Sequence, residues 1–213
     1  MPITVFVADD HAIVREGLAT LLAAQPDIRV VGTAAEGRDA LRQVVKLRPG
    51  VVIMDIAMPE MNGIEAAREI RERVPQARVV ILSMHSSAEH VYHALEAGAA
   101  AYLLKESAGQ EIIGAVRAVC AGKRYLSPRV AEVVAEGIGR DTSADPLEIL
   151  SRRERQILQL VAEGRSSTHI GGALHLSPKT VDTYRSRLMQ KLHVGNVAGL
   201  VRFAIKHGLI SLE

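Results

Sequence analysis

Five residues with chemistry to offer stand at the ends of short apolar runs. Asp9 and Asp10 follow ITVFVA (3–8), Asp55 follows VVIM (51–54), Ser83 follows RVVIL (78–82) and Lys105 follows AYLL (101–104). A charge in apolar surroundings is costly unless it is paired or metal-bound. Clustered carboxylates also raise one another's pKa, and a bound hard cation reverses that logic. Mg2+ fits, because it takes a few carboxylates, keeps waters and coordinates phosphate oxygens. A carboxylate nucleophile, a cation, an ammonium and a hydroxyl together form a site for receiving a phosphoryl group. Asp55 is the expected acceptor, with Mg2+, Lys105 and Ser83 each taking one phosphoryl oxygen. Singly, such residues are most often turns, caps or solvated charges. Their occurrence at matching ends of four runs is what carries the chemistry.

The elements that must position them are legible in the periodicity. The five runs, with IRVVGTA (28–34) as the second, are short, continuous and rich in β-branched residues, as strands buried on both faces should be. Helical spacing links Ile13, Val14, Gly17, Leu18, Leu21 and Leu22. It also links Ala40, Leu41, Val44, Val45 and Leu47, then Val91 with Leu95, and Ile112, Val116 and Val119. Five strand–helix repeats predict a doubly wound parallel sheet with helices on both faces. In the order 2-1-3-4-5, strand order reverses between strands 1 and 3, where ligands bind beyond the carboxyl ends. Asp9, Asp10 and Asp55 end those two strands.

The pattern then changes. Ser127-Pro128 is a helix start, and EGIGRDTSADP (136–146) is Gly-, Asp- and Pro-rich and reads as a linker. From 148 onward the sequence is helical throughout, with helices expected at 151–163, 167–174, 178–192 and 196–207. Ser151, Ser177 with Pro178, and Asn196 are their start signals, and Gly208 is a stop. The domains expected are an α/β domain over 1–122, a partly helical linker over 123–147 and an all-α domain over 148–213.

The net charge is +2, but residues 148–213 carry 10 Lys/Arg against 5 Asp/Glu. A basic tail behind a near-neutral front points to a polyanion partner. On the segment 178–192, Val181, Leu188 and Leu192 form one stripe with Tyr184 at its edge. Lys179, Asp182, Thr183, Ser186, Arg187 and Gln190 fall on the opposite face. Cations mixed with small hydrogen-bonding groups suit the major groove, and the short helix before the HLSP turn gives helix-turn-helix geometry. No apolar run approaches a membrane span, and the N-terminus lacks a basic n-region, so a cytoplasmic protein without membrane partners is expected. The single cysteine, Cys120, sits at helical spacing and reads as packing.

VADDH, MDIAMPEMNG, ILSM and AYLLKE resemble the receiver domain of two-component response regulators. LSRRERQILQLVAEG and LHLSPKTVDTYRSRLMQKLHV resemble the LuxR-type four-helix domain. Together the halves resemble a NarL/FixJ-type response regulator. The resemblance implies that Asp55 accepts phosphate from a sensor histidine kinase. It implies that Asp10 and Asp55 ligate Mg2+ directly, Asp9 does so through water, and the Ala57 carbonyl completes the set. Ser83 and Tyr102 would be a switch pair. In the second domain Lys179, Thr180, Arg185, Arg187 and Lys191 would contact DNA phosphates, and Asp182, Thr183 and Ser186 would read bases. A homodimer on double-stranded DNA is expected, since half-sites read by dimers have two-fold symmetry. Part of the apolar side of NVAGLVRFAIKHG, with Val197, Leu200, Val201, Ala204 and Ile205, would pair the copies.

Three departures stand out: Glu106 where many receivers have proline, Gly171-Gly172 in the short helix, and Tyr184 where histidine is frequent. Glu106 makes a cis peptide after Lys105 a weaker expectation. Three other readings compete. A phosphatase of the aspartyl-phosphate type needs a second aspartate where Ala57 stands. A flavin- or nucleotide-binding domain needs a Gly- or hydroxyl-rich loop where DDHAIV stands. A regulator sensing through a partner, without phosphate, leaves the complete acidic set unexplained.

Overall fold

The computed structural model describes residues 1–137, 147 and 149–210. The chain divides into two compact units, Met1–Arg140 and Asp141–Glu213. Residues 138–146 of the stretch read as a linker lie outside the described residues.

The first unit alternates β1 (Ile3–Ala8), α1 (Ala12–Ala23), β2 (Ile28–Ala34), α2 (Gly37–Leu47), β3 (Val51–Asp55), α3 (Gly63–Arg73), β4 (Arg78–Ser83), α4 (Ala88–Ala97), β5 (Ala99–Leu104) and α5 (Ala108–Cys120). β6 (Tyr125–Leu126) and α6 (Pro128–Gly137) follow. All strand pairs are parallel, in the order β2-β1-β3-β4-β5-β6. Both faces are buried, which is why the strands read as continuous apolar runs. Phe6, Val52, Met54, Ile81 and Tyr102 pack on one face, and Val5, Ile53, Val80, Leu82 and Leu103 on the other.

One element departs from the expected five-stranded pattern. The sheet has a sixth strand, in which Tyr125 and Leu126 pair with Ala101 and Tyr102. Two residues are too few to register as a period. The Ser127 amide then donates to the Tyr102 carbonyl at 3.1 Å, and Val130 is buried beside Leu126 and Val134 in the first unit's core. Residues 125–137, read as the start of a linker, are therefore part of this unit's packing. The third of the expected strand–helix repeats is completed by α3, for which no apolar spacing is legible. Its buried stripe is Ala66, Ala67 and Ile70, a weak hydropathy signal. Asn62 caps it, accepting from the Glu65 amide at 2.9 Å. Two side chains also lie differently from expectation: Ile13 is 89% exposed rather than packed, and Cys120 is exposed.

The second unit holds α7 (Arg152–Ala162), α8 (Ser167–Leu174), α9 (Pro178–Lys191) and α10 (Val197–Lys206) around Ile157, Leu158, Ile170, Val181, Leu188, Leu200 and Ala204. Each helix start is capped by the side chain of Ser151, Ser166, Ser177 or Asn196, which supplies an acceptor for an otherwise orphan amide.

Candidate functional site

The carboxyl ends of β1, β3, β4 and β5 bring Asp9, Asp10, Asp55, Ser83 and Lys105 to one rim. Asp9 is fully buried, Asp55 is 2% exposed and Ser83 1%. Lys105 Nζ donates to Asp55 Oδ2 at 2.8 Å and to Asp9 Oδ1 at 3.1 Å, so one ammonium ties β5 to β3 and β1. α3 packs close enough to fix the β3 exit. A Cβ on Gly63 would lie 2.0 Å from the Asp55 carbonyl oxygen, an overlap no side chain tolerates.

Burial, reinforced by the charges of Asp9 and Asp10, pushes the Asp55 carboxyl up to about 6, despite the opposing pull of Lys105. Burial pulls Lys105 down, but Asp55 and Asp9 more than compensate and hold the ammonium above its ordinary value. One lysine against three carboxylates leaves negative charge in excess. Asp9 Oδ2 is buried without a hydrogen-bond donor, although Lys105 Nζ lies 2.9 Å away as an ion pair. Ligand atoms of Asp9, Asp10, His11 and Asp55 all lie within 4.8 Å of one another. An excess of buried carboxylate charge in a mostly oxygen donor set fits a hard divalent cation.

Ala57 lies in the loop two residues beyond Asp55. Ser83 Oγ accepts from the His85 amide at 3.0 Å. The Tyr102 ring is fully buried, and its hydroxyl donates to the His85 carbonyl at 2.7 Å. Burial pushes that phenol up to about 12. The loop after β4 thus joins the serine and the tyrosine. The peptide after Lys105 is trans, there being no cis bond among the described residues, and Glu106 instead pairs with Arg129 of α6 at 2.6 Å.

Two further residues complete the rim. His11 Nδ1 lies 2.6 Å from Asp10 Oδ1, and Arg15 donates to the Asp9 carbonyl at 2.6 Å. His11 follows the two aspartates directly, but its ring position depends on the turn into α1, which periodicity does not encode.

In the second unit α8, a three-residue turn and α9 form a helix-turn-helix. Lys179, Thr180, Asp182, Thr183, Ser186 and Arg187 are exposed along α9, while Val181 and Leu188 are fully buried. Arg185 is only partly exposed. It donates to Ser167 Oγ at 3.1 Å, and Ser167 donates in turn to Asp182 at 2.6 Å. Lys191 pairs with Glu154 at 2.8 Å. The same Glu154 accepts from the Ser151 amide in the capping box of α7. Of the expected DNA contacts, Asp182, Arg185 and Lys191 are therefore engaged within the unit, and the hydroxyls of Thr180, Thr183 and Ser186 bond Ser177 Oγ, the Lys179 carbonyl and the Asp182 carbonyl. Lys179 and Arg187 have no side-chain partner among the described residues.

The paired glycines separate cleanly. A Cβ on Gly171 would lie 2.6 Å from the Leu176 carbonyl, whereas Gly172 has open space. Gly171→Ala should therefore destabilise the unit and splay α8 from the turn. Gly172→Ala should stabilise it by about 1 kcal/mol through helix propensity alone. Urea unfolding of the two variants checks the opposite signs.

A doubly wound sheet with an acidic rim, and a separate helical unit carrying an exposed basic helix, define a receiver-type regulatory domain joined to a DNA-binding domain. Residues 5–117 match the model of the response regulator receiver domain, and residues 148–204 match that of the luxR family of bacterial regulatory proteins. Transcriptional regulatory protein DegU of Brevibacillus brevis is 36% identical, covering 99% of this chain and 96% of its own. Oxygen regulatory protein NreC of Staphylococcus carnosus is 38% identical over 97% and 98%. Among solved structures, the RcsB response regulator in complex with DNA covers 95% of this chain and 98% of its own, at 27% identity and a TM-score of 0.61. RcsB has also been seen as two dimers bound to two parallel DNAs. The chain belongs to the NarL/FixJ-type response regulators, the transcription regulators of two-component systems that join a receiver to a LuxR-type DNA-binding domain.

Proposed function

We propose that Asp55 is the phosphoacceptor of a receiver spanning 1–122, and that its phosphorylation by a sensor histidine kinase controls a DNA-binding domain spanning 148–213. The observation that carries this is the buried Asp55 carboxylate beside Lys105 Nζ, at the end of β3. A carboxylate oxygen of Asp55 attacks the phosphorus of a phosphohistidine, and the phosphorus–nitrogen bond breaks. Lys105 turns from the Asp55 carboxylate to a phosphoryl oxygen, and the Ser83 hydroxyl donates to another. Asp10, Asp55, the Ala57 carbonyl and, through water, Asp9 would hold Mg2+, which would supply charge neutralisation for the transferring group. Ser83 leaves the His85 amide, and Tyr102, already inward, follows the loop. The role is regulatory rather than enzymatic, and no helix among the described residues is long and apolar enough to cross a membrane.

The output is a homodimer on double-stranded DNA. Lys179, Thr180, Arg185, Arg187 and Lys191 contact phosphates, and Asp182, Thr183 and Ser186 read base edges. Val201 and Ile205, half-buried and outside the second unit's packed cluster, support pairing of two copies through α10. Incubation with Mg2+ and a small phosphodonor tests the input. A labile adduct that Asp55→Ala abolishes is the expected result. Steady turnover of a phosphate ester would instead reveal the phosphatase, and an adduct on another residue would remove Asp55 from its role.

A further inference from the structure

At the opposite, amino-terminal end of the sheet lies a second charged concavity of about 150 Å3. Arg78 begins β4, Ala99 and Ala100 begin β5, and Lys123 with Arg124 lead from α5 into β6; all five line it. We propose that this pocket binds a compact multivalent phosphate anion, of the size and charge of diphosphate or the terminal phosphates of a nucleotide.

Three observations converge. The first is charge. Arg78, Lys123 and Arg124 line one small space, the lining contains no carboxylate, and none of the three has a side-chain partner among the described residues. Several other arginines of this unit are paired: Arg117 with Asp27, Arg129 with Glu106, Arg73 with Glu69 and Arg42 with Asp39. Three exposed cations around one concavity attract an anion of matching valence.

The second is that the cations are not occupied in capping. A basic pair just past a helix often serves its terminal carbonyls. Here the carbonyls of α5 are served by backbone instead. The Lys123 amide donates to Ala118 and the Gly122 amide to Val119, both at 3.0 Å, a Schellman closure. The side chains of Lys123 and Arg124 are left for another purpose.

The third is the wall. The β4–β5 register runs from Val79↔Ala99 to Val80↔Ala101, so Ala100 is skipped. A bulged residue is left out of the ladder, and bulges gather at sites where a strand must be re-aimed. Ala100 lines the pocket. A bound phosphate would bridge the first residues of β4 and β5 to the segment that enters β6. It would therefore clamp the sixth strand, from which α6 departs.

The test uses the full-length 15N-labelled protein, titrated with diphosphate and separately with ATP, in EDTA at constant ionic strength. EDTA keeps Mg2+ from bridging the probe to the acidic rim. Saturable shifts of the amides at Gly98–Ala101 and Gly122–Arg124 are expected. Each of Arg78→Gln, Lys123→Gln and Arg124→Gln should weaken binding by about three- to fivefold, as for exposed ion pairs. Lys179→Gln/Arg187→Gln on α9 should leave it unchanged. Equal affinities for diphosphate and ATP would identify the phosphates alone as the ligand, and tighter ATP binding would add the nucleoside. Shifts confined to α9, a titration that does not saturate, or equal displacement by matched sulfate would overturn the proposal. Unchanged spectra elsewhere show that the variants are folded.

Discussion

At pH 7 in metal-free buffer, Asp55→Asn should make the receiver more stable than the wild type, by about 2–3 kcal/mol. The folded pKa of Asp55 lies near 6 against an ordinary 3.8, raised first by burial and then by Asp9 and Asp10. A group raised in the folded state contributes stability that is present below its unfolded pKa and lost as pH rises through its folded one. Roughly two pH units at 1.36 kcal/mol each set the size of the effect. Between about pH 4 and 7 the wild type should therefore lose stability that the variant keeps. Other carboxylates titrate in the same range, so the difference between the two proteins is the quantity to measure, by urea unfolding across pH. Saturating Mg2+ should raise the wild type far more than the variant, because the ion binds the charge that the fold alone tolerates poorly. A variant less stable at pH 7, or equal stabilisation of both by Mg2+, would refute this account of the rim.

DNA affinity should fall steeply with salt, and Lys179→Ala and Arg187→Ala should each flatten the slope of log affinity against log salt by about one. Both side chains are exposed on α9 and have no side-chain partner among the described residues. At physiological salt the double variant should bind roughly tenfold or more weakly. Lys191→Ala should alter the slope less, since Glu154 already holds that ammonium at 2.8 Å. Thr183→Ala should leave the slope intact and change which sequences are selected from a random pool. Fluorescence anisotropy over a salt series gives the slopes, and a salt-independent affinity would remove α9 from the groove.

Much of this was legible in the residues. Continuous apolar runs ending in Asp9, Asp55, Ser83 and Lys105 mark both the strands and the rim, because in a parallel sheet the strand end is the site. The caps of the second unit were equally readable, since Ser151, Ser177 and Asn196 are short-range signals. What escaped depends on other parts of the chain. β6 is too short to have a period, α3 buries alanines, and Ile13 lies on an apolar stripe that α1 does not fully bury. The chain of hydrogen bonds from Arg185 through Ser167 to Asp182 joins residues 18 and 15 apart, and no helical wheel of α9 alone contains it. Gly171 and Gly172 look alike in sequence, and only the Leu176 carbonyl distinguishes them.

The double employment of Glu154 makes the reading helix answerable to acid. Its carboxyl, pushed up by burial, is pulled lower still by Lys191 and by the amide and hydroxyl of Ser151, so it ends below the usual range. A depressed carboxyl lends stability above its unfolded pKa and withdraws it as pH falls through the folded one. Protonation would loosen the Lys191 latch at the far end of α9 and the Glu154 half of the α7 capping box in the same event.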